Sequence, residues 1–189
     1  MSMDIERLKE LCEGEDLRYF LDPRTEAVMM GFGGIFGRYQ IIVPIEVDGR
    51  FLQFRTVNYL HCPPDHPHLE LVLRILGERN YRLRMVKFGW DPSDGEIVGY
   101  ADIWVEDGEL TQKQFGSTLK SVVTAIDMNF KRISEAMESG EDPGDPRPED
   151  LVSSSLPEGL RRALRGIIDK ESSDDDDDDE ESSSGFGKV

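Results

Sequence analysis

Hydrophobic positions change their period along the chain, and each change marks an element. Ile5, Leu8, Leu11 and Cys12 recur at helical spacing and Gly14 ends the run, predicting a short amphipathic helix. Arg18 to Asp22 and Ala27 to Phe32 read as two strands joined by the turn Asp22-Pro23-Arg24-Thr25. Tyr39, Ile41, Val43, Ile45 and Val47 then alternate with polar Arg38, Gln40 and Glu46, the period of a half-buried strand. Pro44 falls on the outward parity of that strand. It has no N–H for a ladder, so the strand is an edge or is bulged there. Asp48-Gly49 predicts a two-residue type I′ turn into a further strand, Phe51 to Tyr59.

The period lengthens again beyond Pro67. Leu69, Val72, Leu73 and Leu76 share one helical face, and Asn80 is placed to cap its end. Asp65 or His66 is the candidate N-cap, with Pro67 at the first helical position. From Asn80 to Trp90 and from Glu96 to Val105 run two segments rich in aromatic and β-branched residues. They flank Asp91-Pro92-Ser93-Asp94-Gly95, a hairpin with a five-residue connection. Setting Trp90 opposite Glu96 pairs Arg84 with Asp102 and Arg82 with Trp104. In that register one face is apolar, with Gly99 and Ala101 leaving room for a helix. The other mixes Val86, Phe88, Trp90, Val98, Tyr100 and Trp104 with charges. That face is too apolar for plain solvent and too charged for a core, which predicts a surface that a partner or the chain's own segments cover. Thr111-Gln112-Lys113-Gln114 is a capping box with Leu110 just before it. The long helix beyond carries Phe115, Leu119, Val122, Ile126, Ile133 and Met137 on its stripe, with Lys113, Lys120, Asp127 and Lys131 mostly elsewhere.

The fold class these elements predict is α+β: an antiparallel twisted sheet with helices on one face, in the order α-β-β-β-β-α-β-β-α. Residues 1–139 form that domain. Gly140 starts a change of composition. A Pro- and acid-rich linker occupies 140–154. Residues 155–170 form a short amphipathic helix, with Leu156, Leu160, Leu164, Ile167 and Ile168 opposite Arg161, Arg162 and Arg165. Residues 171–189, an acidic run flanked by serines, are expected to be a disordered tail.

One stretch carries a family resemblance. R-L-R-M-V-K-F-G-W-D-P, a D-G turn, E-I-V-G-Y-A-D and then E-D-G-E-L-T-Q-K-Q-F opening a long helix resemble the YbjN family of bacterial sensory-transduction regulators. That family is similar in fold to the type III secretion chaperones. The resemblance covers roughly residues 3 to 138 and leaves out the acidic tail. It implies a chaperone-like architecture and a small acidic domain that dimerises and binds unfolded or extended segments of a protein client.

Charge sharpens the picture. Residues 1–140 hold 23 acids against 16 Lys and Arg, net −7; residues 141–189 hold 16 against 6, net −10. The whole chain is at −17, which argues against nucleic acid or an anionic membrane as partner. The N-terminus carries acids where a secretion signal needs cations, and no apolar run reaches membrane-spanning length, so a cytoplasmic location is expected. Cys12 and Cys62 lie in different elements and are expected to be free thiols.

Candidate chemistry is sparse. G-F-G-G-I-F-G, residues 31 to 37, matches neither phosphate-loop spacing, and a strand follows it. A flexible hairpin loop with glycines at positive φ fits better. His61, Cys62, His66 and His68 lie within eight residues and are enough ligands for zinc, but three prolines stiffen the segment and no second ligand cluster exists. No nucleophile–base arrangement and no cofactor motif stands out. The reading is therefore a non-enzymatic, protein-binding module with a chaperone-like or regulatory role. Its partner is a protein client or a dimer mate, met by Val86, Phe88, Trp90, Val98, Tyr100 and Trp104. The alternatives are a metal protein or enzyme using His61, Cys62, His66 and His68, and an adaptor working through the C-terminal helix and tail.

Overall fold

The computed structural model describes residues 3–22, 25, 27–106 and 108–146. The expected linker beyond 146, the segment 155–170 and the tail 171–189 lie outside the described residues. Helix α1 (Ile5–Gly14) begins at Asp4, whose carboxylate accepts from the Arg7 N–H at 2.8 Å. Strands β1 (Tyr19–Asp22), β2 (Ala27–Gly33), β3 (Arg38–Val43), β4 (Ile45–Glu46), β5 (Phe51–Val57) and β6 (Leu60–His61) follow. Then come α2 (Leu69–Arg82), β7 (Lys87–Trp90), β8 (Glu96–Trp104) and α3 (Gln112–Ser139). Every strand pairing is antiparallel, and the class is α+β.

The sheet runs β1-β2-β3-β5-β8, with β6 continuing the line of β5 and β4 pairing β5. On its other side β8 pairs with β7: Tyr100 lies between Arg55 and Lys87. Two more short strands appear than the alternation suggests, because two long strands are interrupted. Pro44 splits β3 from β4, as its missing N–H demands. Asn58, at φ 52°, splits β5 from β6. The β4–β5 connection keeps the expected register, with Glu46 opposite Phe51, but the ladder stops there. Val47, Asp48 and Gly49 all adopt positive φ, so the loop has four residues rather than two.

The core fills the space between one sheet face and the three helices. Leu52, Phe54, Ile97 and Ala101 point into it from the sheet, and Leu8, Leu11, Ile75, Phe115, Val122 and Ile126 from the helices. Each fully buried side chain of this size contributes roughly 1.5–3 kcal/mol. Helix α3 packs closely over Gly99, where an added Cβ would sit 2.5 Å from the Ile126 side chain. The capping box that starts α3 is formed: the Thr111 hydroxyl accepts from Gln114 N–H and the Gln114 amide accepts from Thr111 N–H. Gly140, at φ 74°, ends it.

The glycine loop between β2 and β3 holds an anion that belongs to the chain. The backbone N–H groups of Ile35 and Phe36 donate to the Asp127 carboxylate at 2.7 and 2.9 Å. The Tyr39 hydroxyl adds a third bond at 2.7 Å. None of Gly31, Gly33, Gly34 or Gly37 has positive φ, contrary to the handedness expected of them. Gly34 is needed for closeness instead, since a Cβ there would meet the Asp127 carboxylate at 2.2 Å. Asp127, expected mostly off the apolar stripe, is thus buried in the wide covered face of α3. Burial, then this hydrogen bond, pushes the Tyr39 phenol well above its ordinary pKa. Nearby, the Tyr59 hydroxyl donates to the Ile126 carbonyl at 2.7 Å, and the rings of Tyr39, Tyr59, Phe88 and Phe130 form one aromatic cluster.

Residues 141–145, where the linker was expected to begin, fold back on the helices. Buried Arg132 grips Asp142 with two bonds of 2.7 and 2.6 Å and also reaches Glu78 at 2.8 Å and Asp145 at 3.1 Å. Arg79 pairs with Asp145 as well. The arrangement satisfies an otherwise costly buried guanidinium.

Two expectations follow. Asp127→Ala leaves two backbone N–H groups and a hydroxyl without an acceptor, so it should cost roughly 3 kcal/mol in urea unfolding. The Arg132 hydrogen bonds hold the Asp142 carboxyl below the usual carboxylate range. Its stabilising contribution is therefore present above the unfolded value of about 4 and lost as pH falls through the depressed folded value. The Gly144 N–H, which donates to Asp142 at 3.0 Å, should report that titration by NMR, and Asp142→Asn should abolish the inflection.

Candidate protein-binding face

The position of every aromatic on the central hairpin depends on its turn. Asp91 N–H donates to the Glu96 carbonyl and Gly95 N–H to the Asp91 carbonyl, at 2.9 and 2.8 Å. Gly95 adopts φ +86°. These bonds close a four-residue connection, Pro92 to Gly95, around a left-handed glycine. Any Cβ at Gly95 would also lie 2.5 Å from the Cys62 carbonyl. With four residues in the turn, Trp90 opposes Ile97, Phe88 opposes Gly99 and Lys87 opposes Tyr100. The register expected from a five-residue loop is shifted by one, and a shift of one exchanges the faces of β7.

The strand also begins later than its composition suggests. Helix α2 continues through Tyr81 and Arg82, and Leu83 is the first extended residue. The expected pairs Arg84 with Asp102 and Arg82 with Trp104 therefore do not form. Asn80 does not cap the helix in a left-handed turn. Its side-chain amide donates to the Phe88 carbonyl at 2.8 Å and accepts from the Phe88 N–H at 2.7 Å, occupying both outward groups of that edge residue.

The six candidate contact residues consequently separate. Val86 and Phe88 are core, each 3 % exposed, and Phe88 packs on Tyr59. The mixed face assigned to them from sequence is corrected for these two. Trp90 is half-buried on the helix side of the sheet, its indole N–H donating to the Cys62 carbonyl at 2.8 Å. Val98, Tyr100 and Trp104 do share the face turned away from the helices, where Trp104 is 59 % exposed.

That face is wider than the hairpin. Residues of β5 with the same parity, Phe51, Gln53 and Arg55, oppose Trp104, Asp102 and Tyr100 across the ladder. The Phe51 and Trp104 rings lie 5.0 Å apart. Gln53 donates to Asp102 at 2.9 Å, and Arg55 pairs with Glu96 at 2.6 Å. Met29 and Ile42 extend the apolar row across β2 and β3 to Phe20 on β1, which is 64 % exposed. Two open hollows mark the surface. One of about 390 Å³ is lined by Arg55, Trp90, Pro92, Val98 and Tyr100. The other, about 500 Å³, lies over Gly31, Gly33, Gln40 and Val57. Sequence reading missed the β5 contribution, although Phe51, Gln53, Arg55 and Val57 alternate with the buried residues in plain view.

The histidine segment has a different geometry. His61 is exposed on β6 and pairs with Glu96 across the ladder, while Cys62 is buried. His66 and His68 stack edge to face at 5.7 Å, and the His68 N–H donates to His66 Nδ1 at 3.2 Å. The helix starts at Leu69 after His68, not at Pro67, and no side chain caps it. Among the described residues no three His, Cys, Asp or Glu converge as a metal would require. Burial pushes both thiols up, that of Cys12 to about 12.

A family model described as "Putative bacterial sensory transduction regulator", YbjN, matches residues 4–135. The chain belongs to the YbjN family. Among solved structures it is similar to the crystal structure of YbjN, "a putative transcription regulator from E. coli", at 16 % identity and a TM-score of 0.51. That match covers 67 % of this chain and 91 % of the other. Two complexes are also similar. The HopA1–SchA chaperone–effector complex matches at 12 % identity and TM-score 0.44, covering 63 % of this chain and 86 % of the other. The ExsC–ExsE complex matches at 15 % and 0.46, covering 69 % and 97 %. No curated protein matches the sequence. Among the described residues no helix of this YbjN-family chain is long and apolar enough to cross a membrane.

Asn80 supplies a test of the register. Asn80→Ala should cost about 1–2 kcal/mol by leaving both Phe88 backbone groups without protein partners. Hydrogen exchange should show the loss of protection at Phe88, with the Gly99 amide, held by Thr56 Oγ1 at 2.9 Å, little changed.

Proposed function

We infer that this YbjN-family domain is a non-enzymatic protein-binding module with a chaperone-like or regulatory role. It engages a protein client, or a dimer mate, through the helix-free face of its sheet. One observation supports this above the others: exposed Trp104, packed on half-buried Phe51, continues into Val98 and Tyr100 on a β-surface whose opposite face already carries the core. Rigid aromatic side chains lose little entropy on binding and dominate interface energetics. Arg55 and Glu96 neutralise one another within the face, and the Gln53 amide donates to the exposed Asp102 carboxylate. The domain's net charge of −7 over residues 1–140 favours neutral or basic clients over acidic ones. The partner-contact set drawn from this geometry is Val98, Tyr100 and Trp104 with Phe51, and Trp90 at the rim of the hollow; Val86 and Phe88 support it from the core.

Tyr100→Ser with Trp104→Ser should weaken client capture or self-association by tenfold or more, as the loss of two aromatic anchors does. The melting temperature should stay within a few degrees because both side chains are partly solvated. Unchanged affinity in pull-down and light scattering would remove the face from consideration.

A further inference from the structure

Helices α2 and α3 each bring one buried arginine to the same place. Arg79 is 9 % exposed and Arg132 6 %. Residues 141–145, just past α3, lie against their guanidinium groups as a short strap. Asp142 accepts two bonds from Arg132 and Asp145 accepts one, while Arg79 also pairs with Asp145. Glu78, the third acid present, is shared between Arg132 and Arg82. More positive charge faces the strap. The Asp142 carboxyl is held low by its Arg132 hydrogen bonds first, and Arg74 on α2 adds to the field. The His68 ring packs where a Cβ on Gly140 would stand, at the root of the strap.

The fit is incomplete. Arg79 Nε is buried and has no hydrogen-bond partner, so the carboxylates of the strap leave one donor unmet. A carboxylate offers two oxygens in one plane. A tetrahedral oxyanion presents its oxygens in several directions, which suits a bridge between two guanidinium forks. A phosphate group also carries about two negative charges at neutral pH, matching Asp142 and Asp145 together.

We propose that Arg79 and Arg132 form a binding site for a phosphate group, with Asp142 and Asp145 as its built-in occupants, displaced when phosphate binds. The exchange is one of ion pairs, with no covalent step. Glu78 stays in place and keeps Arg82 paired. Phosphate binding and release of residues 141–145 from the helices are then a single event. Because the strap is tethered beside the site, it competes at a high effective concentration, and removing one of its carboxylates raises the affinity for phosphate. The site is built from α2 and α3 and takes no residue from the helix-free face of the sheet, so it stands or falls apart from that surface.

The test is an NMR titration of the full chain with inorganic phosphate, above its second pKa of about 6, at ionic strength held constant with sodium chloride. The Arg79 Nε–H and Gly144 N–H signals should shift together and saturate, as Gly144 loses the bond it donates to Asp142. Asp145→Asn keeps both Asp142–Arg132 bonds and alters a side chain that is 53 % exposed, so it leaves the core intact. That variant should bind phosphate tenfold or more tighter than the wild-type chain. O-phosphoserine in place of inorganic phosphate distinguishes the source: tighter binding assigns the site to a phosphomonoester, equal or weaker binding to the free ion. Shifts that sodium chloride alone reproduces, or that never saturate, overturn the proposal. So does an Asp145→Asn affinity no higher than wild type, or saturation during which the Arg79 signal stays still.

Discussion

The length of one turn governs what this domain shows to solvent. Gly95 at positive φ, lodged against the Cys62 carbonyl, closes Pro92 to Gly95 as a four-residue connection and sets Phe88 opposite Gly99. With that register Phe88 completes the aromatic cluster of Tyr39, Tyr59 and Phe130, and Gly99 leaves the gap into which Ile126 descends. One residue more in the turn would put Lys87 in the core and Phe88 in water. Strands have a period of two, so an intermediate arrangement does not exist.

Most of the architecture was legible because it rests on local signals. The Thr111 capping box, the break at Pro44, the stop at Gly140 and the alternation through β3 and β5 each have a short-range physical cause, and each is where the pattern puts it. The hairpin register was not legible, because Asp91-Pro92-Ser93-Asp94-Gly95 is compatible with either loop length and only the contact with Cys62 decides. The end of α2 was hidden as well. Tyr81 and Leu83 read as strand by composition, yet the helix runs on because Asn80 is needed, in helical geometry, beside Phe88. Tertiary demand outweighed propensity there. Of the candidate face, the β8 members were visible from their parity alone, whereas those expected from β7 followed the loop count and moved with it.

Asp127 shows the same limit in another form. A lone acid within a helix reads as a solvated position, and a glycine-rich loop reads as a hinge or an anion site. Neither half reveals that the two meet across about ninety residues of sequence, the loop's N–H groups receiving the helix's carboxylate. Arg132 is comparable: four acceptor bonds from Glu78, Asp142 and Asp145 let a guanidinium sit in the interior, and they also tie down the start of a stretch whose composition suggests free chain. Both buried charges are thus explained by partners outside their own helix turn, some about ninety residues away and some just past the end of α3. Such partners leave no periodic trace.

The amide of Asn80 stands in for a missing neighbour strand. By taking both outward groups of Phe88, it blocks the addition of a further strand at that point of the β7 edge. A sheet open at both margins can add copies without end and build fibrils. A single carboxamide on α2 thereby takes the place that a neighbouring strand would occupy beside Phe88.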